Sequence, residues 1–192
     1  MSKTLIFFDT ETTGIPVWKE PSEGENQPHL IQIAAELTDM ESREVIESMD
    51  VIIRPDGWEI PEETIELHGI TEKIASAQGI PEKEAVQMFL DMHAKADLRV
   101  AHNKTFDERM IRIALKRYYD DLDSEDIQPS DIWKTGESFC TMYGSRKAMG
   151  FKKLPTLAEA YEAATGKKLD GAHNAMNDTK ACRAIYFAIM NL

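Results

Sequence analysis

Asp9 and Glu11 stand two residues apart at the end of an apolar run, TLIFFDT over 4–10. Strand side chains alternate with period two, so this spacing predicts both carboxylates on one side of a strand. Two acids so placed repel each other unless a cation lies between them. Taken alone, the pair reads more often as a polar strand end entering a loop than as a metal site. Gly14 closes the segment DTETTG, where it permits a tight turn and close backbone approach.

Three further residues extend the chemistry. Asp107 falls in the first turn of a predicted helix over 105–119, where the helix dipole favours a carboxylate. By itself it is a capping acid. Its neighbours His102, Asn103 and Phe106 lie at a strand-to-helix corner, and ligands of open α/β sheets bind at the carboxyl ends of strands. His173 and Asp178 flank the start of a last helix, 174–191. Asp178 shares a helical face with Cys182, Ile185 and Ile189, so it is predicted to point inward, and a buried carboxylate needs partners.

The elements that must position these groups follow from patterning. Strands are predicted over 4–10, 30–40, 44–53, 98–101 and 138–142, and residues 15–29, with three Pro and one Gly, form a loop. PEETIELHG has a Pro start and a Gly stop. Thr71 to Glu84 is mostly helical, broken around Gly79-Ile80-Pro81. Residues 82–95 form an amphipathic helix with Ala85, Met88, Phe89 and Met92 on one face. Thr105 and Glu108 form a capping-box pattern for the 105–119 helix. A helix over 155–164 precedes the last one. This order predicts one α/β domain over 1–192, a three-layer fold with a mixed central sheet flanked by helices.

Composition narrows the function classes. The chain has 192 residues and a formal net charge of −12. It holds no apolar run long enough to span a bilayer and starts without a signal-peptide pattern, so the expected location is cytoplasmic, without a membrane partner. Two cysteines, Cys140 and Cys182, are expected to be buried free thiols. The acidic pI near 4.9 argues against gripping long duplexes by charge alone. Residues 120–131 carry six acids and no base. Residues 146–168 carry six bases (Arg146, Lys147, Lys152, Lys153, Lys167, Lys168) against Glu159 and Glu162. Such a stretch is ordinarily solvated surface, and it could also lie along the phosphates of a single strand.

DTETTG, HNKTFDERM and the His173-x4-Asp178 spacing, in that order, resemble the three motifs of the DnaQ-like (DEDDh) 3′–5′ exonucleases. PEETIELHGIT, FCTMY and LPTLAEAYEAATG resemble the stretches between those motifs, so the likeness covers nearly the whole chain. There are two departures. The 15–29 loop is long, which would reshape the substrate entrance. Lys104 and Thr105 stand where small or hydrophobic residues are usual, which would alter contacts to the penultimate nucleotide.

The resemblance implies an RNase H-like fold and metal-dependent hydrolysis of DNA from a single-stranded or frayed 3′ end, releasing nucleoside 5′-monophosphates. It implies two Mg²⁺ ions, with Mn²⁺ as a substitute, on Asp9, Glu11, Asp107 and Asp178; hard oxygen ligands suit those ions. In the implied roles Asp9 bridges both ions, Glu11 and Asp178 hold the one on the side of the attacking water, and Asp107 supports the other through water. His173 is the implied general base. Thr12, Thr13, Gly14, Ile15, Asn103 and Phe106 would floor the terminal nucleotide. His68 is weighed evenly between that contact and a helix end before Gly69. Trp18 is a weaker candidate, since a loop Trp can simply pack on the core. The implied partners are DNA 3′ ends and a DNA polymerase or replication protein. Exoribonuclease action on short or structured RNA is the first alternative, and a catalytically silent nucleic-acid-binding module the second. Proofreading, repair and nucleotide turnover all stay open.

Overall fold

The computed structural model describes residues 2–191. Five strands form one mixed sheet: β1 (Thr4–Thr12), β2 (Leu30–Asp39), β3 (Val45–Ile52), β4 (Leu98–Ala101) and β5 (Ser138–Cys140). Their order is β3-β2-β1-β4-β5, antiparallel through β3, β2 and β1 and parallel from β1 to β4 and β5. Eight helices join them: α1 (Glu62–His68), α2 (Glu72–Gln78), α3 (Glu82–His93), α4 (Lys104–Tyr118), α5 (Pro129–Thr135), α6 (Thr141–Met149), α7 (Leu157–Thr165) and α8 (Ala175–Met190). Among the described residues no helix is long and apolar enough to cross a membrane.

Alternation along β1 divides the core. Ile6 and Phe8 pack with α3, α4 and α5 through Phe89, Met110, Ile111 and Trp133. Leu5 and Phe7 face the opposite layer and pack with Cys182, Tyr186 and Phe187 of α8. Asp9 and Glu11 continue the odd face, at the carboxyl end of the central strand. Burying several large side chains on each face, at roughly 1.5–3 kcal/mol apiece, makes β1 the anchor of the molecule.

The structure corrects the sequence reading in several places. The last predicted strand ends at Cys140, and the chain turns at once into α6. Gly144 lies in the middle of this helix. A Cβ at that position would lie 2.6 Å from Phe139 Cζ, so the glycine lets α6 close over the Phe139 ring. An unpredicted helix, α5, starts at the end of the acidic segment, with Pro129 at its first turn. On α3 the buried stripe is Ala85, Val86, Phe89 and Met92, while Met88 is exposed. The Thr105–Glu108 capping box does not form. α4 begins at Lys104 behind Asn103, and the Glu108 carboxylate accepts from Arg99 Nε at 2.7 Å instead. A true capping box joins Thr156 and Glu159 on α7. Both cysteines are free and buried, as expected.

The 15–29 loop has an internal frame. Thr13 N–H donates to the His29 carbonyl, and His29 N–H donates to Thr13 Oγ1, closing the base. The buried Gln27 amide accepts from Val17 N–H and donates to the Val17 and Pro21 carbonyls. Arg109 and Arg112 of α4 donate to the Glu20 carbonyl and Ser22 Oγ.

Candidate active site

A cleft of about 390 Å³ opens at the carboxyl ends of β1 and β4. Asp9 and Glu11 enter it from β1, Asp107 from the first turn of α4, and Asp178 from the first turn of α8. Ligand atoms of Asp9, Glu11 and Asp178 all lie within 4.8 Å of one another. Asp107 comes from the other layer. Its Oδ1 accepts from the backbone N–H of Thr10 at 3.0 Å and its hydroxyl at 2.8 Å, which holds it beside the strand end.

This juxtaposition has an electrostatic cost. Burial, then Asp107, Asp178 and Glu11 in turn, hold the Asp9 carboxyl well above its ordinary range. Burial with Asp178 and Asp107 pushes Glu11 up to about 8. Burial raises Asp107 to about 7 against the pull of its Thr10 hydrogen bonds, and also raises Asp178. Asp178 Oδ2 accepts from His173 N–H at 3.1 Å, while its buried Oδ1 has no hydrogen-bond partner. Four acids that destabilise one another, one with an orphaned oxygen, are what a bound divalent cation satisfies. The donor set is all oxygen, which fits a hard cation.

A pH dependence follows. These groups titrate higher in the folded protein than unfolded, so the fold binds extra protons and loses stability as pH rises through the folded values. His68, His93 and His102, all lowered by burial, act in the opposite sense, but by about pH 7.5 they are largely neutral in both states. Between about pH 7.5 and 8.5, therefore, the carboxylates set the slope. In EDTA the melting temperature should fall over this interval, and Mg²⁺ should remove most of the fall. A flat or rising profile in EDTA would show that the acids are not mutually strained.

The cleft gathers Thr12, Gly14, Ile15, Asn103, Phe106 and His173 as expected. Ile15 is exposed on the rim, and Thr12 Oγ1 donates to the Gly14 carbonyl. Asn103 and His173 both adopt left-handed backbone, with φ of 60° and 64°. Side chains rarely hold that conformation unless the surroundings impose it, and such residues cluster at functional sites.

Two expected residues lie elsewhere. The Thr13 N–H and Oγ1 both bond to His29, so Thr13 shuts the loop and is not part of the cleft lining. His68 sits behind the rim, its Nδ1 accepting from Ile70 N–H; burial and the nearby His173 lower its pKa. Lys104 is turned toward Ser138 and Glu108, away from the cleft. The six bases of 146–168 are exposed, with Lys153 paired to Glu159 at 2.8 Å.

Sequence reasoning missed Thr64 and Leu67, which line the cleft from α1, and the lining role of His102. The i, i+3 spacing of Thr64 and Leu67 was the available signal. His102 Nε2 donates to the Pro155 carbonyl at 3.2 Å, so Nδ1 accepts from Thr141 Oγ1 at 2.9 Å. It ties the cleft to the segment before α7. Neither cysteine is part of the cleft lining, and burial holds the Cys182 thiol protonated.

The family model for exonucleases, RNase_T, matches residues 6–186. The chain belongs to the RNase_T exonuclease family. This confirms the DnaQ-like resemblance. No curated protein matches the chain. Among solved structures it resembles E. coli exonuclease I in a zinc-bound complex with single-stranded DNA, with a TM-score of 0.73 and 22% identity over 100% of this chain. The dA16 complex of the same enzyme gives 0.75 and 20% identity over 98% of this chain. This exonuclease domain spans 41% of the chain it matches in each case. The shared architecture is the RNase H-like three-layer fold that the motifs implied.

Proposed function

We propose that this exonuclease-family chain removes nucleotides from the 3′ end of single-stranded or frayed DNA, releasing nucleoside 5′-monophosphates. The observation that carries the reading is the convergence of Asp9, Glu11 and Asp178 within 4.8 Å, with Asp107 alongside, at the floor of an open cleft. Asp9, Glu11 and Asp178 would hold Mg²⁺ or Mn²⁺, and Asp107 would support a second ion. When bound, the ions supply Lewis-acid charge for an in-line displacement at phosphorus.

The chain's own groups divide the remaining work. His173, on the exposed lip, takes the proton of the attacking water as general base. Its backbone N–H fixes one Asp178 oxygen and leaves the other for a cation. Thr12, Gly14 and Asn103 form a polar wall for the terminal sugar and phosphate. Ile15, Leu67 and Phe106 give an apolar rim against which the base packs. The cleft is open at the surface, which suits a strand that enters end-first.

Product analysis on 5′-labelled single strands tests this directly. The expected result is a ladder of shortening 5′-labelled fragments and release of mononucleotides, strictly dependent on divalent cation. Cleavage of circular single strands, or undiminished activity in excess EDTA, would overturn it. The same oligonucleotide as RNA decides the sugar preference.

A further inference from the structure

Beside the cleft, on the adjacent face of α4, lies a second groove of about 220 Å³ between α4, α5 and the 15–29 loop. In a chain of net charge −12 it gathers Arg99, Arg109, Arg112 and Lys134 against a single lining carboxylate, Glu108. Arg99 is 3% exposed. Its Nε donates to Glu108 at 2.7 Å, its guanidinium lies 4.1 Å from the Trp133 ring centroid, and its buried Nη1 has no hydrogen-bond acceptor. Lys134 is exposed, and its contact with Asp131 is long, at 3.7 Å. Arg109 and Arg112 repel each other and are held in place by the loop atoms they bind. Those bonds seat the loop so that Trp18, 52% exposed, stands at the groove's rim.

A large exposed aromatic beside clustered, under-neutralised guanidinium groups suits a nucleotide: a π-face for the base and cations for the phosphate. The placement says which nucleotide. Thr105, Glu108, Arg109 and Arg112 line this groove, while Phe106 and Asp107 of the same helix line the cleft. Ile15 on the cleft rim is three residues from Trp18, at most about 11 Å of chain.

We propose that this groove binds the substrate strand itself, a few nucleotides upstream of the 3′ end, with Trp18 stacking on a base and Lys134 facing a phosphate over the positive field of the arginines beneath. This rests on the exonuclease reading above. It assigns the 15–29 loop a function: it carries the stacking residue out from the cleft to a second hold on the strand.

The test is a length series of DNA, from dinucleotide to dodecanucleotide, with kcat and KM measured for wild type, Trp18→Ala and Lys134→Glu. Both residues are exposed, so neither change should disturb folding. Wild-type KM should fall as the strand grows long enough to reach the groove. Trp18→Ala should raise KM for the dodecanucleotide roughly 5- to 100-fold, the scale of one lost base stack. Dinucleotide kinetics and kcat should stay unchanged. Lys134→Glu should also flatten the salt dependence of KM on the long strand only. Equal losses on dinucleotide and dodecanucleotide, or no loss on either, would overturn the assignment. So would free dAMP protecting Trp18 fluorescence as tightly as the dodecanucleotide, which would make the groove a mononucleotide site. If wild type hydrolyses no member of the series, the exonuclease reading fails. Anisotropy of labelled dodecanucleotide on wild type and Trp18→Ala then judges the groove separately.

Discussion

Asp9→Ala is expected to abolish turnover and, in EDTA, to raise the melting temperature above that of wild type. Both effects come from the same atoms. Asp9 lies in the three-carboxylate cluster, where burial and three neighbouring acids already work against its ionised form. Removing it relieves repulsion on Glu11, Asp107 and Asp178 at once, and at this chain length each kcal/mol gained corresponds to about 2–4 °C. Removing it also takes away a proposed cation ligand, so any stabilisation that Mg²⁺ gives wild type should largely disappear. Asp178→Ala should follow the same pattern on turnover, with a smaller stability gain, because Asp178 Oδ2 also accepts from His173 N–H. Melting curves with and without Mg²⁺ beside a turnover assay check both halves. A mutant less stable than wild type in EDTA would show that the acid is chiefly structural, and retained turnover would remove it from the machinery.

The second large effect concerns His173. Its side chain is exposed at the cleft lip, and only its backbone N–H touches Asp178. Replacing the imidazole therefore leaves the carboxylate cluster intact. His173→Ala should slow turnover by about 10²–10⁴-fold, the usual scale for a positioned acid–base group. Mg²⁺ affinity, read from the metal-induced shift in melting temperature, should change little. The left-handed backbone at His173 predicts one more detail. His173→Asn keeps a residue that tolerates positive φ, so its fold should be at least as stable as that of His173→Ala while activity stays low. Near wild-type turnover of His173→Ala at saturating Mg²⁺ would reduce the residue to a loop contact.

Much of the site was legible because its signals are local. A period-two pair at a strand end, an acid in the first helical turn and an inward-facing acid on the last helix each follow from spacing within a few residues. What spacing cannot convey is how distant segments compete for the same group. Thr13 was available to substrate until His29, sixteen residues on, bonded its N–H and Oγ1. Glu108 was available to cap α4 until Arg99 claimed it from a neighbouring strand. α6 was hidden behind a predicted strand over 138–142, and the Phe139 ring beneath the helix explains its Gly144. Thr64 and Leu67 reach the cleft from a short helix whose sequence shows its ends but not what it faces. Each miss is a tertiary contact overriding a local preference.

The frame of the 15–29 loop bears on how this architecture diversifies. Its base is shut by the reciprocal Thr13–His29 bonds, and the Gln27 amide braces its interior. Such a segment is an interchangeable cassette. Swapping or resizing it between Thr13 and His29 is expected to leave strand register and the acidic floor in place, and doubling its length would cost only about 0.6 kcal/mol of closure entropy. Selectivity can thus drift on one side of Thr13 while the hydrolytic machinery on the other stays fixed. That separation gives a route by which descendants of one nuclease acquire different diets without passing through an inactive ancestor.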